Sequence, residues 1–232
     1  MEVDAPPVTT IREWRSCLDA AELARSDGFY FDADRITYIG AHWLLRNALA
    51  ATGGLPPSQW RFVTGRHGKP QIDAALGRSD LCFNLSHSKG LVACAVATGV
   101  AIGIDVELIS STRAEFDIAS RYFGVDEIAL LRSKPPDEQS QTFFRLWTLK
   151  EALIKATGEG LHRALDSFSF SLDPTAVTFR SGDVEQAGAW VFFEYRPTLR
   201  HAMAVAMRLS TAQPVRLSIL RIHPLDGSVA SQ

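Results

Sequence analysis

Hydrophobic residues in the first half of the chain repeat first at helical and then at strand spacing. Thr10 and Glu13 match the pattern of a capping box, which predicts a helix that runs to about Arg25 and stops near Gly28. Apolar residues three and four positions apart predict a second helix over residues 34–51. Shorter apolar runs predict strands over residues 60–63, 82–85, 90–97 and 101–108.

The second half repeats this order. Helices are predicted over residues 121–131 and 140–157, and Gly158 is a typical C-terminal stop for the second of them. Strands are predicted over residues 167–171, 176–179, 190–195, 201–207 and 214–222. Residues 91–97 and 201–207 share a pattern of small alternating side chains, which either chance or an internal repeat can produce.

This order of elements predicts an α+β fold, which consists of two similar halves, over residues 1–108 and 109–232, if the internal repeat is real. If the repeat is real, the halves are related by a pseudo-two-fold axis and a ligand site lies at their interface.

Composition narrows the class of protein. The chain has 232 residues, a formal net charge of -2 and three scattered cysteines, so no strong field indicates a nucleic acid or a membrane surface as the partner. The N-terminus lacks a basic region followed by an apolar stretch, and the longest apolar run, over residues 91–104, is too short to cross a bilayer. We expect a reduced, cytoplasmic protein.

Two acidic residues, Asp105 and Glu107, stand two apart in a segment that resembles a strand. Such residues share a face, and Val106 between them then points into the core. Adjacent carboxylates repel unless a cation lies between them, and Mg²⁺ is usually held by one or two carboxylates together with substrate phosphates. A solvated strand end with two surface acids is the alternative interpretation, and these two residues alone favour it.

Glu151 and Lys155 are four apart on the last predicted helix, one turn beyond Trp147. They fit an ordinary surface ion pair worth about 0.2–0.5 kcal/mol. The large aromatic residue on the same stripe equally fits the wall of a cleft.

Two further segments carry polar chemistry. Residues 65–70 form a glycine-rich turn with cations, which suits either a phosphate or an ordinary hairpin loop. Ser86 and His87 are neighbours, and a polar loop that binds an anion is a better interpretation than a Ser–His dyad for acyl transfer, because sequence neighbours seldom align nucleophile and base. Arg46, on the polar side of the second helix, fits a solvated residue.

Taken in order, these segments resemble the Sfp-like 4'-phosphopantetheinyl transferases. The resemblance covers about residues 40–165, and its last motif is long and specific. The matching motifs are Gly65-x-x-Gly68-Lys69-Pro70, Phe83–Ser88, Gly103–Glu107 and Phe144–Leu161.

The resemblance implies a monomer that binds coenzyme A between two α+β halves. Such an enzyme moves 4'-phosphopantetheine from coenzyme A to a serine of an acyl or peptidyl carrier protein, as used in polyketide or nonribosomal peptide synthesis, and releases 3',5'-ADP. It further implies that Asp105, Glu107 and Glu151 hold Mg²⁺, or Mn²⁺, on the pyrophosphate. Glu151 is the implied base, or only a metal ligand, and Lys155 the implied charge stabiliser.

The resemblance also implies coenzyme A contacts. Asp105 and Lys155 would act on its pyrophosphate. The remaining contacts would come from Ser86 and His87 at the phosphates, Lys69 and Pro70 at the nucleotide, and Arg46 and Arg66 at the 3'-phosphate.

Two other functions use the same residues. A metal-dependent phosphohydrolase would use the same carboxylates without a carrier protein. A non-catalytic protein that binds coenzyme A or a carrier would not need the acid and lysine set, which is intact in this sequence.

Overall fold

The computed structural model describes residues 1–65, 68–110, 114–160, 163–180, 190–209, 215–222 and 229–231. These residues form two compact units. The first lies within Met1–Gly65, Pro70–Gly99 and Gln213–Gln232, and the second within Arg66–Lys69 and Val100–Ala212. In each unit helices accompany antiparallel strands, so the α+β prediction is confirmed.

The predicted halves differ from these units. The strand that ends at Leu108 lies with the second unit, and the C-terminal strands lie with the first. The division at residue 108 and the pseudo-two-fold relation stay predictions.

The first unit begins with three helices, α1 (Val8–Ser16), α2 (Ala20–Asp27) and α3 (Asp32–Gly53). The single helix predicted from Thr10 is wrong, because a capping box formed by Asp19 and Glu22 starts a new helix at Ala20. Thr10 lies inside α1 and is buried. The prediction for α3 is confirmed, and Gly54 ends that helix with a φ of 77°.

The strands of the first unit form short antiparallel pairs. A long hairpin joins β3 (Leu81–Ser88) to β4 (Leu91–Thr98). Its apolar residues pack on α3, and buried Trp14 of α1 lies against buried Trp43 of α3 with ring centroids 5.9 Å apart. The other pairs are β1 (Phe62–Thr64) with β2 (Pro70–Ile72), and β10 (Leu220–Ile222) with β11 (Val229–Ser231). Within residues 215–222, only Leu220–Ile222 forms the predicted strand.

The second unit is built on a three-stranded antiparallel sheet, whose strands lie in the order β5 (Ala101–Leu108), β9 (His201–Arg208) and β8 (Trp190–Thr198). Helix α6 (Pro136–Thr157) packs on this sheet, and Gly158 ends the helix with a φ of 74°. The remaining strand pair is β6 (Phe168–Ser171) with β7 (Ala176–Phe179). The predictions for β5 and α6 are confirmed.

Two shorter helices precede α6, namely α4 (Ala114–Tyr122) and α5 (Val125–Ser133). The single helix predicted over residues 121–131 is wrong, because the chain breaks at Gly124. Glu127 accepts a hydrogen bond from the Gly124 amide at 2.7 Å and so caps the start of α5.

A buried ion pair joins α5 to α6. The Lys150 ammonium lies 2.8 Å from Glu127 Oε2, and both side chains are 0% exposed. The ammonium also donates to the carbonyl oxygens of Leu165 and Phe168, each at 2.8 Å. Glu127 accepts a further hydrogen bond from the Phe170 amide at 2.8 Å. The pair therefore ties α5, α6 and the start of β6 together.

Replacing Lys150 tests how much the ion pair between Lys150 and Glu127 contributes to the stability of the fold. We expect Lys150→Met to lower the free energy of unfolding by about 3–5 kcal/mol, because Glu127 would be left buried without its countercharge. Urea unfolding followed by circular dichroism measures the loss.

Two variants complete this test. Lys150→Met combined with Glu127→Gln should be more stable than Lys150→Met alone, because the uncompensated charge is gone. Lys134→Met, at a lysine that is not fully buried, should change stability by less than about 0.5 kcal/mol. Equal losses for Lys150→Met and Lys134→Met would contradict the assignment.

No helix of the described residues is both long and apolar enough to cross a membrane.

Candidate active site

The candidate site begins with a close approach between β5 and α6. A Cβ atom at Gly103 would overlap the carbonyl oxygen of Ala152 and the amide nitrogen of Ala156, both of which belong to the helix backbone. Because only glycine lacks that atom, the helix lies directly on the strand at this point. The approach brings the last two turns of α6 beside the acidic residues of β5.

The neighbouring strand β9 keeps the same face small. Ala206, Ala204 and Ala202 are the register partners of Gly103, Asp105 and Glu107. All three alanines are buried. Their methyl groups leave room for the helix, so the acidic residues of β5 lie on a face that α6 covers.

Asp105 and Lys155 meet on this face. The Lys155 ammonium donates to Asp105 Oδ1 at 2.6 Å. The Asp105 side chain is 4% exposed and that of Lys155 is 27% exposed, so the pair joins a buried acid to a partly accessible cation. Val106 is fully buried, as the sequence predicted.

Glu151 completes this group electrostatically. Burial raises the pKa of its carboxyl above the ordinary value, and the negative charge of Asp105 raises it further. The Lys155 ammonium acts in the opposite direction and does not cancel the rise. Glu151 therefore holds its proton more tightly than an exposed glutamate does, which is a useful property in a proton acceptor near neutral pH.

The donor set suits a hard divalent cation, because Asp105, Glu107 and Glu151 offer only carboxylate oxygens. The negative charge of Asp105 is, after burial, the second cause of the raised pKa of Glu151, so these two carboxylates interact. However, within the described part of the chain no three His, Cys, Asp or Glu side chains are arranged to hold a metal ion. The cation in contact with Asp105 is the Lys155 ammonium. The three-carboxylate metal site therefore stays a prediction.

Gly103→Ala tests the helix approach. The added methyl group would meet backbone rather than a movable side chain, so we expect a loss of about 3 kcal/mol or more in the free energy of unfolding. Urea unfolding measures it. Gly28→Ala is the matched control, because its Cβ would stand 3.4 Å from the nearest atom, the Arg25 carbonyl oxygen. Similar stability of the two variants would show that α6 can move away from β5.

The glycine-rich turn contributes Lys69 to the second unit. Its ammonium donates to the Lys155 carbonyl oxygen at 2.5 Å and lies 3.4 Å from the Ile102 carbonyl oxygen. Pro70, the next residue, opens β2 in the first unit and is exposed. Arg66, predicted to bind the 3'-phosphate, lies outside the described residues.

Ser86 and His87 occupy β3 rather than a loop. The predicted polar loop is wrong, because the hairpin pairs Ser86 with Ala93 and His87 with Val92. Neighbouring residues of a strand point to opposite faces, and here Ser86 is buried while His87 is exposed. The two side chains therefore lie on opposite faces of β3, an arrangement that does not suit a Ser–His dyad.

Arg46 is a core residue of the first unit. Its side chain is 0% exposed. Its five N–H groups reach Glu22 Oε2 at 2.9 and 2.7 Å, Asp19 Oδ2 at 3.0 Å, and the carbonyl oxygens of Pro57 at 3.0 Å and Trp60 at 2.9 Å. No N–H group of Arg46 remains for a ligand phosphate. The predicted contact with the 3'-phosphate does not fit this geometry.

The same network predicts a pH dependence of stability. Burial alone would raise the pKa of Glu22, but hydrogen bonds with His42 and Arg46 outweigh it and hold that pKa below the ordinary 4.5. The unfolded chain lacks these bonds and takes up the proton first as the pH falls. The stabilisation is therefore complete above about pH 4.5 and is lost as the pH falls through the lower folded pKa.

Urea unfolding midpoints between about pH 6 and pH 3 measure this loss. Glu22→Gln should lower stability at neutral pH and weaken the further decline in acid. Glu13→Gln, at an exposed acid of α1, should leave the wild-type profile unchanged. Parallel profiles for the wild type and Glu22→Gln would contradict the assignment.

Sequence reasoning missed two contributors to the site. The sequence motif includes Gly103 but does not by itself show its structural role. A glycine inside a strand often marks a point where another backbone segment approaches closely. Lys150 stands among Leu146, Leu149 and Leu153 on the buried stripe of α6. A buried lysine on an apolar stripe needs an oppositely charged partner. The sequence could therefore have predicted a buried acid near Lys150, but not that this acid is Glu127.

Comparison with known proteins supports the resemblance. The sequence model of the 4'-phosphopantetheinyl transferase superfamily matches residues 101–206, from the start of β5 to near the end of β9. The 4'-phosphopantetheinyl transferase HetI of Nostoc sp. is 36% identical over 201 residues, which are 87% of this chain and 83% of HetI. A 4'-phosphopantetheinyl transferase of Bacillus subtilis is 40% identical over 157 residues, which are 68% of this chain and 67% of that protein.

Solved structures give a weaker likeness. A Helicobacter pylori holo-[acyl-carrier-protein] synthase in complex with coenzyme A is 21% identical, with a TM-score of 0.37, and covers 45% of this chain and 96% of the synthase. Family membership therefore depends on the sequence relatives. The chain belongs to the 4'-phosphopantetheinyl transferase superfamily.

Proposed function

We propose that this protein transfers the 4'-phosphopantetheine group from coenzyme A to a serine of an apo carrier protein and releases 3',5'-ADP. The contact between Asp105 and Lys155, with Glu151 beside it, carries this proposal. These residues lie on β5 and α6, within the region that matches the superfamily. The transferase names of HetI and of the Bacillus subtilis relative support the same reaction.

The reaction exchanges a phosphoanhydride bond of coenzyme A for a phosphate ester bond to the carrier serine. The serine oxygen forms a bond to the phosphorus that carries pantetheine, the bond from that phosphorus to the 3',5'-ADP oxygen breaks, and the serine proton goes to a base. Glu151 is the proposed base, because its raised pKa favours proton uptake. Lys155 is the proposed stabiliser of charge on the phosphates, since its ammonium is partly exposed.

We also propose that Asp105, Glu107 and Glu151 hold Mg²⁺, with Mn²⁺ as a substitute. When bound, the ion supplies positive charge that neutralises the pyrophosphate. The support for this site is the carboxylate chemistry of the three donors and the electrostatic interaction between Glu151 and Asp105. Lys155 would then exchange its present contact with Asp105 for one with the substrate.

The remaining coenzyme A contacts are proposed from the sequence resemblance. They involve Pro70, Ser86 and His87, of which Pro70 and His87 are exposed. A coenzyme A site between related halves, a monomeric state and a cytoplasmic location rest on that resemblance too. The carrier is proposed to be an acyl or peptidyl carrier domain.

One experiment tests the transfer. The protein is incubated with coenzyme A, Mg²⁺ and an apo carrier protein, and the intact mass of the carrier is measured. We expect a gain of one phosphopantetheine group. Glu151→Gln should slow the gain by about 10²–10⁴-fold, and Asp105→Ala should abolish it, with both variants folded. Glu138→Gln, at an exposed acid in the first turn of the same helix, is the control and should retain full activity.

The rival functions predict different products. A phosphohydrolase would release free phosphopantetheine and leave the carrier mass unchanged. A non-catalytic binding protein would leave both coenzyme A and the carrier intact. An unmodified mass across several apo carriers would refute the proposed transfer.

A further inference from the structure

The Lys69 side chain lies along the C-terminal end of α6. Its ammonium donates to the Lys155 carbonyl oxygen at 2.5 Å and lies 3.4 Å from the Ile102 carbonyl oxygen. Its Cδ atom is 3.6 Å from the point where a Cβ atom at Gly158 would stand. Lys69 thus contacts the backbone of both β5 and α6, the two elements that carry the candidate active site.

The contact from Lys69 provides a hydrogen-bond donor for a carbonyl group at the C-terminal end of α6. The last four carbonyl groups of an α-helix have no partner within the helix, and a cation near them is favourable. At the end of α6 the Ile154 carbonyl accepts a hydrogen bond from the Gly158 amide at 3.0 Å. The next carbonyl, that of Lys155, accepts from Lys69. Lys69 therefore caps α6 from outside the helix.

Lys155 is consequently held at two points. Its backbone carbonyl is bound by Lys69, and its ammonium is bound by Asp105 Oδ1 at 2.6 Å. Because Gly103 has no side chain, β5 lies close to the end of α6, where Lys69 binds the Lys155 carbonyl oxygen and Asp105 binds the Lys155 ammonium. A change at Lys69 would thus reach the Lys155 ammonium through the helix end.

We infer that Lys69 is a positioning residue, which fixes the end of α6 and thereby the ammonium of Lys155. This role differs from the nucleotide contact that the sequence resemblance implies for the same side chain. Its catalytic meaning rests on the proposed function, whereas its effect on the helix end does not.

Steady-state kinetics with coenzyme A as the varied substrate separate the two roles. Lys69→Met keeps the aliphatic stem and removes the ammonium. Positioning predicts a fall in kcat of about 10- to 100-fold with a KM for coenzyme A within about threefold of the wild type. Lys69→Arg, which keeps a cationic donor, should restore most of kcat. A rise in KM with kcat unchanged would overturn the inference in favour of a nucleotide contact.

Hydrogen–deuterium exchange of the ligand-free protein gives a readout that does not need activity. We expect amides near the end of α6, over residues 154–158, to exchange about threefold faster or more in Lys69→Met. Lys69→Arg and the control Lys134→Met should exchange like the wild type. Unchanged exchange in Lys69→Met would overturn the inference. A wild-type protein that modifies no carrier would defeat the proposed function, and the exchange result would still decide whether Lys69 holds the helix end.

Discussion

The second unit depends on one steric constraint, the backbone contact between α6 and β5 at Gly103. The helix can lie on the strand because residue 103 has no side chain and because the register partner, Ala206, has only a methyl group. This approach sets the distance from the helix to Asp105, two residues further along the strand. The ion pair between Asp105 and Lys155 thus depends on the small residues Gly103 and Ala206, which let α6 approach the sheet.

A second contact sets the rotation of α6. Lys150 is drawn into the core by Glu127 and by two backbone carbonyl groups, and successive helix residues point about 100° apart. Glu151, the next residue, therefore points away from the Lys150 direction, and its carboxyl interacts with the charge of Asp105. Buried ion pairs add little net stability and are costly to break singly, so they favour one arrangement over alternatives. Here the favoured rotation of α6 keeps Glu151 within electrostatic range of Asp105 on β5.

The local sequence pattern predicted the strand and the helix that carry the candidate site. It did not predict the breaks between consecutive helices or the contacts between residues far apart in the sequence. The apolar run over residues 101–108 predicted β5, and the stop at Gly158 predicted the end of α6. The breaks before Ala20 and Val125 were missed, because each depends on a glutamate that caps a helix start in competition with helix continuation. The acidic partners of Arg46, Glu22 and Asp19, are 24 and 27 residues away, and no local spacing encodes such contacts. The burial of Ser86 likewise depends on strand pairing with Ala93.

The two proposed roles of Glu151 compete through charge. With Lys155 bound to Asp105, burial and the negative charge of Asp105 raise the pKa of Glu151, and the Lys155 ammonium does not cancel the rise. That rise favours a base. A divalent cation shared with Asp105 would hold the charged form of Glu151 and lower the same pKa, which favours a ligand. The position of Lys155 therefore links the two roles, and every contact that fixes Lys155 also biases the protonation of Glu151.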